Sequence, residues 1–377
     1  QLSLTATKPA CGWSGTNPKP AKSYTRALLG ILGSLNVCSK EWVIRQYDFE
    51  VQGTSVLKPL VGKHSDGPGD AAVIRPVLHS QRGLAVSNGI NTRYGDIDAY
   101  WMAASAIDEA LRNLVAVGAG LSRVALLDNF CWGRADDPES LWALIQACKA
   151  CHDMSLAFEA PFISGKDSLN NFTEIEGRTI CIPHTLLVSA MAVVDDVNRM
   201  VTMDMKLAGS NLYAIGATYD ELAGSEYCAW LGGTGTTVPR VRPEVAKRTM
   251  SALSGAIHDG LVLACHDMSE GGLAVALAEM CFAGDLGAEV EVLSVPLGEP
   301  IERYDTILFS ESNSRFVVEV APVDSPAFER RFKGLPCACV GVVKDERSLC
   351  IMGSNRRLLL KAGLDELKAA WKRPLDW

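Results

Sequence analysis

The chain has 377 residues, 48% of them hydrophobic and 21% charged, with a formal net charge of −8. That composition supplies ample apolar material for packed cores and excludes a disordered chain, while the acidic balance removes the electrostatic footprint of a nucleic-acid binder. No run approaches the ~20 apolar residues of a membrane-spanning helix, and at ~150 residues per domain the length suggests two or three domains.

The chain opens Gln1-Leu2-Ser3 without an initiator methionine or a basic-then-apolar leader, which reads as a piece of a longer polypeptide. Residues 1–22 are rich in Thr, Lys, Pro, Gly and Ser and read as a strand or linker. Apolar runs then predict strands at 72–76, 83–87, 124–127, 156–160 and 186–194. Residues 100–117 predict a strong helix, with Ala103, Ile107, Leu111, Leu114 and Val115 on one side and Gly118 as its stop. A second helical run starts at Glu139. The polar, methionine-rich stretch 196–209 reads as the joint to a second block. There a strand at 212–215 precedes a helix at 243–258, a strand at 261–265 and a helix at 271–282. Strands near 289–293, 316–320 and 338–343 follow.

Twelve cysteines invite a disulfide or metal reading that their spacing does not support. Cys131, Cys181, Cys265, Cys281 and Cys350 stand singly in apolar runs, where a thiol packs as a small hydrophobe. Cys337-Ala338-Cys339 reads as part of a strand. Cys148-Lys149-Ala150-Cys151-His152 matches the c-type haem pattern, but it ends a helical run in which Trp142, Ile145 and Cys148 share a face. Haem is not expected, and the plain reading is a reduced, cytosolic protein.

Four local patterns can carry chemistry. Asp66-Gly67-Pro68-Gly69-Asp70 heads a strand with glycines around carboxylates, which lets a phosphate or metal approach the backbone; an ordinary Asp-Gly turn explains it equally well. On the 100–117 helix, Glu109 and Asn113 are i and i+4 and share a face, a pair suited to Mg²⁺. A solvated face is the plainer reading, weakened by the apolar neighbours Ile107, Leu111 and Leu114. Ser164-Gly165-Lys166-Asp167-Ser168 fails as a Walker motif because its upstream glycine is missing, yet it offers amides, an ammonium and a hydroxyl to an anion.

The fourth pattern, His266-Asp267-Met268-Ser269-Glu270-Gly271-Gly272, joins a strand to a helix. It sets Ser269 and the glycine pair at a helix N-terminus, where free amides bind anions. Asp267 fits there if Mg²⁺ bridges it to a phosphate; simple capping by Asp267 or Ser269 is the plainer reading. His266 reads as a hydrogen-bonded structural histidine. The same His-Asp-Met-Ser sequence at 152–155 is treated as chance. Together, Asp70, Glu109, Asn113 and Asp267 with glycine turns from two domains would assemble a Mg–nucleotide site. Tyr227, Asp128-Asn129 and the turn Gly232-Gly233-Thr234-Gly235 are secondary candidates.

In chain order, GPGDAAVIRP, IDEALRNLVAVGA, LLDNFCWG, ISGKDSLNN and CHDMSEGGLAVALAEM resemble the C-terminal half of the synthetase subunits of phosphoribosylformylglycinamidine synthase. These are relatives of aminoimidazole ribonucleotide and selenophosphate synthetases in one ATP-binding superfamily, PurM/PurL. The resemblance runs from about residue 45 to 343. It implies an α/β (α+β) fold, a two-domain synthetase half with an N-terminal mixed-sheet domain and a C-terminal α/β domain. Residues 1–60 would be a lead-in from a missing first half, 61–206 the ATP-binding domain, 207–352 the α/β domain and 353–377 a tail helix.

The resemblance also implies a reaction in which ATP and glutamine-derived ammonia convert formylglycinamide ribonucleotide to formylglycinamidine ribonucleotide. Asp70, Glu109, Asn113 and Asp267 then match magnesium ligands of a second-half site that holds non-reacting ADP, with Gly69 and Ser269 as nucleotide contacts. Asp128 and Gly165 match nucleotide contacts to the reacting site across a pseudo-dimer, and Ser168 a substrate contact there. Lys166 stands where many members have a magnesium-binding asparagine; a charged lysine cannot ligate Mg²⁺, so it becomes a cationic phosphate partner. The catalytic histidine belongs to the first half and is not expected here. Implied partners are that first half, a glutaminase subunit or domain and a small bridging subunit, with dimerisation of the isolated chain and no nucleic acid or membrane. Two other readings are a non-catalytic ADP–Mg scaffold and a stand-alone homodimeric synthetase. For the latter, Cys11 lies near the start but lacks a glycine-rich loop.

Overall fold

Period-two alternation carries the first part of the chain into a six-stranded sheet. Its order is Ser55–Leu57, Ala72–Ile74, Gly83–Ile90, Thr185–Val194, Val124–Cys131 and Phe162–Ser168, antiparallel throughout except for the last pair. The computed structural model describes residues 3–10 and 13–377, and Cys11 lies outside the described residues. On Gly83–Ile90, Ala85 and Ser87 are buried, whereas Val86 and its cross-strand neighbour Met191 remain exposed on the other face.

Helices Ala99–Ala116 and Pro138–Phe158 cover the buried face. Asp98 starts the first by accepting from the amides of Tyr100 and Trp101, the expected work of an N-cap carboxylate. This helix is buried on almost every side because the sheet lies on one flank and the second domain on the other. Residues 156–158, expected to begin a strand, instead complete Pro138–Phe158, and the strand starts at Phe162. Phe158 is buried and Leu156 exposed; so short an apolar run fits either period, and the helix already under way decided it.

A seven-stranded sheet follows, ordered Ala264–Asp267, Phe316–Val320, Asn211–Ile215, Cys337–Lys344, Gly287–Glu291, Ser348–Met352 and Leu358–Gly363. Only Gly287–Glu291 and Ser348–Met352 pair in parallel, so this half is α+β in its strand directions. The strand expected at 261–265 begins at Ala264 and runs to Asp267, which puts His266 and Asp267 at its end. Helix Gly272–Gly284 packs on this sheet and against helices Tyr24–Leu32 and Leu364–Lys372. Flanked on all sides, it can be apolar all round.

The segment read as a lead-in is therefore part of the second core, since Ala27, Leu28, Ile31 and Leu32 have no exposed surface. The tail contributes the edge strand Leu358–Gly363 as well as a helix. Leu28→Ala is expected to destabilise the chain by about 2–5 kcal/mol, as a buried leucine does when truncated; urea unfolding checks this, and a loss below 0.5 kcal/mol would contradict the packing role. Every cysteine among the described residues is free. Cys181 sits exposed on the hairpin strand Arg178–Cys181 rather than packed as expected, and Cys148 is exposed on its helix. Among the described residues no helix is long and apolar enough to cross a membrane.

Candidate functional site

Where the two domains meet, a cleft of about 250 Å³ is lined by Gly69, Asp70, Glu109, Asn113, Asp267 and Ser269 together. Each arrives from a different local device. Gly69 and Asp70 follow the short strand Gly67–Pro68, whose turn packs on helix Gly272–Gly284 at Ala283. Glu109 and Asn113 share one face of helix Ala99–Ala116. Asp267 ends a buried strand, and Ser269 precedes the left-handed Gly271 and Gly272 (φ 77° and 63°) that turn the chain into the next helix. A side chain is strained at such φ, so the glycines allow this abrupt entry.

The carboxylates are held one oxygen at a time. Asp70 Oδ1 accepts from His266 Nδ1 at 2.7 Å and from the Asp267 amide at 3.1 Å, whereas its Oδ2 is buried with no partner. Glu109 Oε2 accepts from the Ile90 amide at 2.8 Å and Asn91 Nδ2 at 2.9 Å; its Oε1 meets only the Ser269 hydroxyl, at 3.4 Å. Asp267 Oδ2 accepts from Arg112 Nε at 3.1 Å and from Ser269 Oγ. Asn113 Nδ2 donates to the Asn88 carbonyl at 3.1 Å, leaving the Asn113 amide oxygen available.

Charge is crowded here. Glu270 and Glu279 join the three carboxylates in the cleft lining, with His266 and Arg112 as counter-charges. Burial, then Glu270, pushes Glu109 well above the usual carboxylate range, and burial pushes Glu270 up to about 7. Burial alone would lower His266, but Asp70 and Glu279 on its two ring nitrogens hold it well above the usual imidazole range. His266 is thus hydrogen-bonded through both ring nitrogens, as expected. Asp70, His266 and Asp267 offer ligand atoms within 4.8 Å of one another. An orphaned buried carboxylate oxygen beside two half-used carboxylates, all hard oxygen donors, fits a divalent Mg²⁺-type cation.

Comparison with known proteins bears on this geometry. Residues 39–193 match the family described as "FGAR-AT PurM_N-like domain", and residues 208–352 match "AIR synthase related protein, C-terminal domain". The phosphoribosylformylglycinamidine synthase subunit PurL of Thermosynechococcus vestitus is 34% identical over 372 residues, which cover 95% of this chain and 47% of that protein. The chain is related to PurL proteins along nearly its whole length. It spans about half the length of the relatives it matches. Thermotoga maritima PurL complexed with FGAR shares the fold with a TM-score of 0.71 at 21% identity, over 93% of this chain and 54% of that one. The same protein complexed with ADP gives 0.68 at 20%, over 94% and 52%.

The remaining predicted residues gather elsewhere. Asp128 and Gly165 are register partners on the one parallel strand pair of the six-stranded sheet, with Lys166 and Ser168 further along the same edge strand. A Cβ on Gly165 would meet Asp128 Oδ1 at 2.1 Å, so glycine makes room for that carboxylate. Lys166 Nζ donates to Ser168 Oγ, and the edge strand is exposed over most of its length. Burial, then Asp167, raises the Asp128 carboxyl. Asp128 and Gly165 thus share one face of this strand pair while Lys166 and Ser168 share the other, all of them apart from the cleft.

A larger cavity of about 1190 Å³, lined by Trp13, Trp101, Trp142, Arg134 and Arg240 among others, holds none of the predicted residues. Tyr227 is core, donating to Asp305 at 2.8 Å and stacked on Phe309. The turn at 232–235 is tied down by Trp13 Nε1 on the Gly235 carbonyl at 2.9 Å. Sequence reasoning missed Arg112 and Glu279. A lone glutamate inside the apolar helix Gly272–Gly284 was the available signal for the second.

Proposed function

We propose that this chain supplies one half of a PurL-type ATP-dependent C–N ligase that converts formylglycinamide ribonucleotide and glutamine-derived ammonia to formylglycinamidine ribonucleotide in purine biosynthesis. The carrying observation is the meeting of Gly69, Asp70, Glu109, Asn113, Asp267 and Ser269 in one cleft, in a chain related to proteins named for that synthase. Asp70, Glu109, Asn113 and Asp267 would hold Mg²⁺, and Gly69 with Ser269 would contact the ADP or ATP phosphates. The cation would neutralise phosphate charge among these acids. At about 250 Å³ the cleft takes the metal–phosphate end of a nucleotide rather than the whole of it, since whole-ligand pockets run to ~300–1,000 Å³.

The strand pair that carries Asp128, Gly165, Lys166 and Ser168 meets a first half of the synthetase in this reading, with Lys166 as a phosphate partner and Ser168 as a substrate contact. The catalytic histidine comes from that first half. A glutaminase and a small bridging subunit complete the assembly, in the cytoplasm. The test is reconstitution: the chain alone should show no turnover, and adding the first half, the glutaminase and the bridging subunit should restore ATP- and glutamine-dependent product formation. Restoration that proceeds equally well without this chain would refute the reading.

The exposed sheet face carrying Val86 and Met191, with Ile163 on the edge strand and Ile175 and Ile180 on the adjoining hairpin, supplies apolar surface for that first half. In isolation the same surface is expected to drive a dimer, seen by sedimentation at micromolar concentration. A monomer under those conditions would contradict it.

A further inference from the structure

Arg112 is 2% exposed and lies between the two domains. Its Nη1 pairs with Asp108 and reaches Asn313 Oδ1 at 3.3 Å. Its Nε donates to Asp267 Oδ2 at 3.1 Å, and its Nη2 to Ser269 Oγ at 2.9 Å. Asp108 also accepts from the backbone amide of Ser314 at 2.9 Å and from its hydroxyl. The planar guanidinium is thereby locked on four sides, three of them on the second domain.

The lock has a chemical consequence. With Oδ2 of Asp267 committed to Arg112 and Ser269, only Oδ1 is left, 3.8 Å from His266 Nδ1. Asp70 is likewise held through Oδ1 by His266, and Glu109 through Oε2 by Ile90 and Asn91. Three carboxylates therefore each present a single oxygen. Mg²⁺ takes a compact octahedron from a few single oxygens plus phosphate and water, whereas Ca²⁺ takes six to eight oxygens and welcomes bidentate carboxylates.

We propose that Arg112 is a specificity-determining residue that makes this a magnesium site rather than a calcium site, by holding Asp267 to one available oxygen. The inference rests on the nucleotide–metal reading above. An ammonium cannot reproduce the fork that spans Asp108, Asp267 and Ser269. In Arg112→Lys, Asp267 is free to turn and offer both oxygens.

The experiment is calorimetric titration of ADP into the full chain, with Mg²⁺ or with Ca²⁺, for the unaltered protein, Arg112→Lys, Asn313→Ala and Tyr94→Phe. The unaltered chain should bind ADP about ten-fold or more tighter with Mg²⁺. Arg112→Lys should lose about 10- to 100-fold in the magnesium case, the range typical of residues that orient metal ligands, and far less with Ca²⁺, so that the preference narrows or reverses. Asn313→Ala, which loosens the guanidinium without removing its charge, should narrow the preference by a few-fold and covers failure of Arg112→Lys to fold. Tyr94→Phe breaks a different interdomain bond, Tyr94 Oη to Glu311, and should leave the Mg²⁺/Ca²⁺ ratio unchanged. Equal losses with both metals in Arg112→Lys and Asn313→Ala would overturn the proposal and leave Arg112 a structural ion pair. Absence of ADP binding by the unaltered chain with either metal would instead overturn the nucleotide reading itself.

Discussion

Glu109→Gln is expected to weaken magnesium-dependent ADP binding by ~100-fold or more while leaving the ligand-free chain at least as stable as before. The two effects have one cause. Glu109 is 8% exposed and surrounded by Glu270 and Asp267, and its carboxyl is driven well above the ordinary range by burial and those neighbours against the pull of Arg112. Holding it ionised without a cation opposes folding. Glutamine keeps the anchoring bonds, because an amide oxygen can accept from the Ile90 amide and Asn91 Nδ2 as Glu109 Oε2 does. What it removes is an anionic oxygen offered to the metal, a change at least as large as the 10–100-fold seen when only a ligand's supporting partner is lost. Thermal unfolding in a chelator and calorimetry with Mg²⁺ and ADP measure the two halves. Lower stability together with unchanged binding would show Glu109 to be structural.

The second large effect is a fall in stability of the metal-free chain as pH rises from about 5 to 8. Glu311 is fully enclosed, accepting from the amides of Gly271 at 2.8 Å and Glu226 at 2.9 Å and from Tyr94 Oη. Burial, then Glu270, pushes it up to about 8 from an ordinary 4.5. The folded chain keeps this proton until about pH 8, whereas the unfolded chain releases it near 4.5. Between those values the unfolded state binds fewer protons, so stability is full at low pH and is lost on the way up, by ~1.4 kcal/mol per pH unit for one such group. Glu270, raised to about 7 by burial, and His266, held protonated between Asp70 and Glu279, act in the same direction. Glu311→Gln retains an acceptor for the two amides and a partner for Tyr94, and should remove about one proton's worth of slope. Urea unfolding at several pH values between 5 and 8 checks this. Parallel curves for the two proteins would contradict the assignment.

The candidate site was legible in the sequence where its signatures are local. Asp70 beside Gly69, Glu109 four residues before Asn113, and Asp267 ahead of Ser269 and two glycines each form a short signature, and their convergence required only that the elements be adjacent. Arg112 was not legible, because an arginine one turn after Asp108 reads as an ordinary helical ion pair. Its contacts with Asp267, Ser269 and Asn313 span 155–201 residues of sequence. Helix Tyr24–Leu32 was obscured by the Pro, Gly and Lys residues before it, and its apolar face has meaning only against Gly272–Gly284 and Leu364–Lys372. Residues 156–158 show the limit of periodicity, where too few positions separate a helix end from a strand start. The clean predictions, such as Ala99–Ala116, came where eighteen residues repeat one period.

The most direct test of the account is the nucleotide and metal content of the purified chain, measured by denaturing it, chromatographing the released small molecules and assaying magnesium alongside. The account predicts ADP and Mg²⁺ retained through gel filtration in comparable amounts, and lost together in Glu109→Gln. A chain that comes through empty and fails to bind ADP when Mg²⁺ is supplied would contradict a nucleotide–metal site built on Asp70, Glu109, Asn113 and Asp267.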